Sequence, residues 1–289
     1  MMDNTTTLSK YLSLVKFSHT IFALPFAAIG FLLAAQTVNF NFEWSLAVKV
    51  LLCMITARNS AMAFNRWADK EFDKKNPRTA IREIPAGIIK ADSALLFTII
   101  NSLLFVMVCY FINTLCFYLS PVALLVVLGY SYTKRFTALC HLILGVGIGL
   151  APLGAYLAVT GEFNIAPVLI SFAVLCWVSG FDIIYALQDD EFDRNNDLYS
   201  IPSYFGRKKA LRISEVLHVC SSIFLLSFLL YAGFSYIGFA GWLFFSGLLI
   251  YQHSIVKADN LSRVNVAFAT TNGIASIVFA CFVITDIFF

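Results

Sequence analysis

Nine predominantly apolar stretches of close to 20 residues run through this 289-residue chain, at roughly 17–37, 44–64, 93–112, 115–133, 138–160, 165–187, 213–232, 235–252 and 265–287. About 20 apolar residues in helical form cross the hydrocarbon core of a bilayer, and in lipid every backbone N–H and C=O must be paired within the segment. The pattern predicts an all-α, multispanning membrane helical bundle of about nine transmembrane helices in one integral-membrane domain, residues 1–289. Composition agrees: 60% of the residues are hydrophobic and 13% charged, with a mean hydropathy of +0.80. A soluble globule of this size could not hide so much apolar surface. A net charge of +3 excludes a nucleic-acid binder, and the apolar content excludes a disordered chain.

The few charges are concentrated. Residues 65–92 carry twelve of the 37 and residues 188–212 carry ten. With nine spans, eighteen of the twenty Lys and Arg fall in the N-terminal tail or the loops after spans two, four, six and eight; Lys49 and Arg58 fall inside span two. The positive-inside rule then places the N-terminus and both charged loops in the cytoplasm and the C-terminus outside, in a bacterial inner membrane. The polar N-terminus up to Lys16 and the full-length first apolar run predict a retained span, not a cleaved signal peptide. The seven Cys are scattered without a C-x-x-C pair and are expected to be core-filling thiols.

Both charged loops carry acids in one register. Asp69, Glu71, Phe72, Asp73 and Asn76 coincide with Asp189, Glu191, Phe192, Asp193 and Asn196 after a shift of 120 residues, which predicts an internal duplication. Asn65, Asp69 and Asp73 are spaced i, i+4, i+8, as are Tyr185, Asp189 and Asp193. On a helix that continues past the membrane surface each set forms one stripe. Stacked carboxylates repel and need a cation. Carboxylate and amide oxygens suit a hard ion, and Mg²⁺ holding waters and a substrate phosphate fits best.

Basic residues complete a diphosphate site. Lys134 and Arg135 close span four on the same side, Arg78 and Arg82 follow the first stripe, and Lys16 sits at the mouth of span one. Arg58 lies two turns before Asn65 on the stripe's face, and Asp182 stands in the mirroring register before Asp189. At that depth each needs a partner, either in an internal ion pair with the other or, for Arg58, as the carboxylate of a substrate. Gly145, Gly147, Gly149, Pro152 and Gly154 make span five small-faced, suited to close helix packing or to a substrate tail. Phe64, Trp67, Tyr132 and Tyr185 flank the stripes closely enough to line a cavity.

These motifs together resemble the UbiA superfamily of intramembrane prenyltransferases. Asn65, Asp69 and Asp73 match its N-x-x-x-D-x-x-x-D motif; Tyr185, Asp189 and Asp193 match its second, D-x-x-x-D preceded by Y-x-x-x. Tyr130, Thr133, Lys134 and Arg135 are similar to the Y-x-x-T-K-R segment of aromatic-acid acceptors, and Arg78-Thr79 and Ile84-Pro85-Ala86-Gly87 to the run after the first motif. The chain looks most like the branch acting on 4-hydroxybenzoate in quinone synthesis. Cys140-His141 to Gly145 and Lys16 to His19 look more like the menaquinone relatives that use 1,4-dihydroxy-6-naphthoate.

The resemblance implies Mg²⁺ held by Asn65, Asp69, Asp73, Asp189 and Asp193, and a polyprenyl diphosphate and an aromatic acid as substrates. Lys134, Arg135, Lys16, Arg58, Arg78, Tyr132 and Tyr185 are the expected substrate-binding residues. Diphosphate leaves, an allylic cation forms, and the ring attacks it in a cavity kept dry by the membrane. A cation transporter is the rival reading, but it predicts acids at mid-span and not at helix ends. A CDP-alcohol phosphotransferase is a second alternative, and its D-G-x-x-A-R opening is absent.

Overall fold

A computed structural model describes residues 7–15 and 22–289. Its regular structure is helical throughout, apart from one isolated antiparallel bridge between Lys257 and Asn260. In order the α-helices are α1 (Thr7–Leu14), α2 (Leu24–Thr37), α3 (Trp44–Ala68), α4 (Lys70–Lys75), α5 (Ala91–Tyr110), α6 (Thr114–Thr133), α7 (Cys140–Thr160), α8 (Ile165–Ala186), α9 (Asp190–Asn195), α10 (Ile201–Phe205), α11 (Arg207–Ala232), α12 (Tyr236–Ile255) and α13 (Asn272–Phe288). A 3₁₀ turn, Leu187–Asp189, follows α8, and a π-helical turn, Val266–Thr271, precedes α13.

Seven helical segments among the described residues are long and apolar enough to cross a membrane. The expected count of nine is not reached on that criterion. Span one corresponds to α2, whose 14 residues are short; residues 16–21, on its N-terminal side, lie outside the described residues. Span eight corresponds to α12, whose 20 residues are diluted by Tyr251-Gln252-His253-Ser254.

The chain divides into two compact units. The first comprises α1 and Val48–Tyr132, and so most of α3 with α4, α5 and α6. Its apolar cluster is small: Leu14, Ala63, Ile89 and Ala94, with Tyr11, Ile84 and Phe97 against them. Helices α3 and α5 also meet through polar side chains. Asn59 Nδ2 donates to Asn101 Oδ1 at 3.1 Å, and Ser102 Oγ to Ser60 Oγ at 3.2 Å. Small polar residues let helix backbones approach and bond where lipid offers no hydrophobic drive.

The second unit comprises α2, the start of α3, and Thr133–Phe289. Helix α8 is its axis, buried on nearly every side, as expected of a helix apolar all round. Trp177 on α8 is fully buried among Phe22, Phe26, Phe181 and Phe245, and its Nε1 donates to Asn272 Oδ1 at 2.9 Å, so the indole loses no hydrogen bond on burial. Gly145 and Gly149 let α7 lie directly on α8: a Cβ at Gly145 would stand 2.5 Å from Leu175 O, and one at Gly149 2.8 Å from Ser171 O. Gly154 has nothing within 4 Å of its Cβ position. The packing reading therefore holds for Gly145 and Gly149 and not for Gly154. All seven cysteines are free; Cys109, Cys140 and Cys176 are buried, Cys53, Cys116 and Cys220 half-buried and Cys281 exposed, so the core-filling expectation holds for three of them.

Candidate active site

The first stripe sits at the end of α3. The helix does not run through unbroken, as the spacing suggested: Asp69 leaves helical geometry at φ −94°, ψ 8° and heads the short α4. The i→i+4 ladder nevertheless survives, because Asp69 N–H still donates to Asn65 O at 3.0 Å and Asp73 N–H to Asp69 O at 2.8 Å. The three side chains therefore stay in one line. Asn65 Nδ2 donates to Asp69 Oδ2 at 3.0 Å.

Residues 76–90 then fold back in hydrogen-bonded turns, beginning with Thr79 N–H to Asn76 O. Thr79 Oγ1 donates to Asp73 O at 3.1 Å, and the fold-back delivers Arg82 Nη1 to Asp73 Oδ1 at 2.6 Å. Asp73 is buried, and its second oxygen, Oδ2, accepts no hydrogen bond. A half-satisfied buried carboxylate is costly unless a further cation or donor arrives. Arg66, buried one residue after Asn65, adds positive charge within electrostatic reach of Asp73 and Glu83. Glu83 is held by Ser13 Oγ at 2.5 Å. Neither Arg66 nor Glu83 was singled out from the sequence; their signal was a charge next to the motif and an acid directly after Arg82.

The second stripe repeats the break in a tighter form. Helix α8 stops at Ala186, the 3₁₀ turn carries Asp189, and Asp189 heads α9 at φ −111°, ψ 3°, close to the conformation of Asp69. The 120-residue register thus recurs in the backbone as well as in the side chains. Asp193 is 1% exposed and takes Lys134 Nζ on Oδ1 at 2.7 Å and the Ser200 hydroxyl on Oδ2 at 2.9 Å. Burial alone would lower the Lys134 ammonium, but the carboxylates of Asp193 and Asp189 outweigh it and hold its pKa above the ordinary value. Lys134 is therefore a fixed positive charge. Asp190 points elsewhere: it takes a two-pronged contact from Arg207, Nε to Oδ2 at 2.9 Å and Nη2 to Oδ1 at 2.7 Å, which ties α9 to the start of α11.

Of the other expected site residues, Tyr185 lies 4.2 Å from Phe268, centroid to centroid, within the second unit. In the first unit Tyr132 packs edge-on to Phe64 at 5.7 Å, and Phe64 stacks on Trp67 at 5.5 Å. Arg58 in α3, Arg78 in the fold-back and Arg135 after α6 are half-buried. Lys16 lies outside the described residues. Asp182 gives Oδ2 to His141 Nδ1 at 2.7 Å, a partner the sequence reading had not named.

Among the described residues no three His, Cys, Asp or Glu side chains converge on one point. Asp73 and Asp193 each face a cation of the protein instead. The donor set is one of hard oxygens, and the bare Asp73 Oδ2 is the observation that fits a divalent ion.

Apolar helices with acids gathered at their ends make this an integral membrane protein with its polar chemistry at the helix termini. The chain belongs to the UbiA prenyltransferase family, whose profile matches residues 23–278, and it is a prenyltransferase. It is 30% identical over 236 residues to a 4-hydroxybenzoate octaprenyltransferase of Tolumonas auensis, covering 80% of this chain and 82% of that one. The structure of a UbiA homolog from Aeropyrum pernix K1 superposes with a TM-score of 0.83 at 30% identity, over 93% of this chain and 98% of the other. A UbiA homolog from Archaeoglobus fulgidus bound to GPP and Mg²⁺ shares the fold, with a TM-score of 0.73 at 22% identity over 97% and 100% of the two chains. The family assignment replaces the transporter and phosphotransferase readings.

Proposed function

We propose that this enzyme moves a polyprenyl group from polyprenyl diphosphate to 4-hydroxybenzoate in quinone synthesis, with Asn65, Asp69, Asp73, Asp189 and Asp193 as ligands for Mg²⁺. The observation that carries the chemistry is Asp73: one oxygen neutralised by Arg82, the other buried without a hydrogen bond, as a carboxylate prepared for a cation would be. The Archaeoglobus homolog bound to GPP and Mg²⁺ supports a divalent ion and an allylic diphosphate. The Tolumonas relative supports the acceptor.

Bound Mg²⁺ supplies charge neutralisation for the departing diphosphate. The chain's residues do the rest. Lys134 stays protonated and, with Arg135, Arg78 and Lys16, binds the diphosphate oxygens. Asp73 and Asp193 are held in place by Arg82, Lys134 and Ser200. Arg58 pairs with the acceptor carboxylate, and Tyr132 and Tyr185 border the reacting groups with water-excluding rings. The allylic C–O bond breaks with its electron pair leaving on diphosphate, the ring carbon ortho to the hydroxyl takes the prenyl group, and that carbon's proton passes to the released diphosphate. Placement in a bacterial inner membrane with the charged loops cytoplasmic belongs to the same proposal.

Membranes containing the enzyme, incubated with Mg²⁺, labelled geranyl diphosphate and either 4-hydroxybenzoate or 1,4-dihydroxy-6-naphthoate, test it. Label is expected in prenylated 4-hydroxybenzoate and is expected to vanish with EDTA. Label only in the naphthoate product would move the acceptor to the menaquinone route. EDTA-resistant turnover would overturn the metal assignment.

A further inference from the structure

His141, buried, and Asp182, half-buried, form a titratable pair in the second unit that the reaction described above does not use. Asp182 Oδ2 meets His141 Nδ1 at 2.7 Å, and the backbone N–H of Ile201 meets His141 Nε2 at 3.3 Å. An N–H can only donate, so Nε2 is the acceptor and the ring proton is on Nδ1, pointed at the carboxylate. Asp182 thereby fixes the tautomer that can receive Ile201.

Ile201 is the first residue of α10, and the first turn of a helix has N–H groups with no partner inside it. Here each finds one. Ile201 N–H goes to His141, Pro202 has no N–H, and Ser203 N–H goes to Ser200 Oγ at 3.2 Å while Ser203 Oγ receives Ser200 N–H at 2.8 Å. Accepting from Ser203 orients the Ser200 hydroxyl, and its one proton goes to Asp193 Oδ2 at 2.9 Å. The preceding residue is pinned as well: Tyr199 N–H donates to Lys134 O at 2.7 Å, on the residue whose ammonium holds the other Asp193 oxygen.

We propose that His141 and Asp182 are positioning residues for the second aspartate stripe: they fix the start of α10, and through Ser200 they fix the Asp193 carboxylate for metal and diphosphate. This rests on the proposed role of Asp193. Partners one step removed from metal ligands typically change metal affinity by about 10- to 100-fold when removed.

The test measures the Mg²⁺ dissociation constant by titration calorimetry on the purified protein, and the KM values for geranyl diphosphate and 4-hydroxybenzoate, in wild type, His141→Phe, Asp182→Ala, Ser200→Ala and His141→Gln, with Asp193→Ala as control. His141→Phe, Asp182→Ala and Ser200→Ala are expected to raise the Mg²⁺ and diphosphate constants about tenfold and leave the acceptor KM within about twofold. His141→Gln is expected to restore both constants, because one amide can donate to Asp182 while accepting from Ile201. Constants within about twofold of wild type in Ser200→Ala, or a drop in kcat alone with both constants unchanged, would overturn the proposal. If His141→Phe fails to insert, Ser200→Ala and Asp182→Ala decide. An active Asp193→Ala would instead remove the reading of the stripe itself, and this inference with it.

Discussion

Asp73 and Asp193 occupy equivalent positions in their stripes, and each is a buried carboxylate with one oxygen on a cation supplied by a neighbouring turn, Arg82 or Lys134. Asp69 and Asp189, one turn earlier, head the short helices that carry them. Loss of either removes a proposed metal ligand without opening a core, so Asp69→Ala and Asp189→Ala are expected to insert normally and to lose about 10³-fold or more of prenylation, scored by the labelled-product assay. Near-wild-type turnover in both would sink the metal-ligand assignment. Lys134→Met leaves Asp193 buried with its main countercharge gone, and kcat/KM is expected to fall about 10²-fold, with Lys134→Arg recovering part of it. Equal loss in the Arg and Met variants would mean that charge at this position is not what matters. The stripes were legible because i, i+4 spacing is local. The partners of Asp182 and Asp190 were not: they lie 41 and 17 residues away in sequence, on other elements.

At the scale of elements, the apolar runs marked where the long helices lie because burial in lipid leaves the backbone only one solution. The breaks inside the stripes were invisible, since Asp69 and Leu187–Asp189 carry no proline or glycine to announce them. The glycines of α7 were legible as a small face, but which of them pack required α8. A Cβ added at Gly145 would stand 2.3 Å from Ser179 Oγ and 2.5 Å from Leu175 O, and backbone cannot rotate away. Gly145→Ala is therefore expected to cost about 1–3 kcal/mol by forcing α7 off α8. Thermal unfolding in detergent should fall by about 2–4 °C for each kcal/mol, whereas Gly154→Ala, in open space, should not fall. Equal melting of the two variants would argue against the tight α7–α8 contact.

For the whole molecule, the arrangement of basic residues makes a prediction that depends on α12. Its 20 residues are about 30 Å long at 1.5 Å per residue, enough for the hydrocarbon core. What lowers its apolar character is a polar run near its end, yet Gln252 there is fully buried and bonds Asn272 Oδ1, and Trp242 Nε1 donates to Ser222 O at 2.9 Å. Gln252 Nε2 and Trp242 Nε1 thus find acceptors inside the protein, so the hydropathy of these two residues overstates the cost of crossing. If α12 crosses, Lys257 and Arg263 lie on the same side of the membrane as the other loop basic residues; if it does not, they lie on the opposite side and the charge alternation fails. In a variant lacking the seven native cysteines, Tyr236→Cys at the start of α12 is expected to react with an impermeant maleimide added outside intact cells. Asp259→Cys, just past its end, is expected to react only after the membrane is opened. Labelling of both from outside would remove α12 from the spans and, with it, the cytoplasmic placement of Lys257 and Arg263.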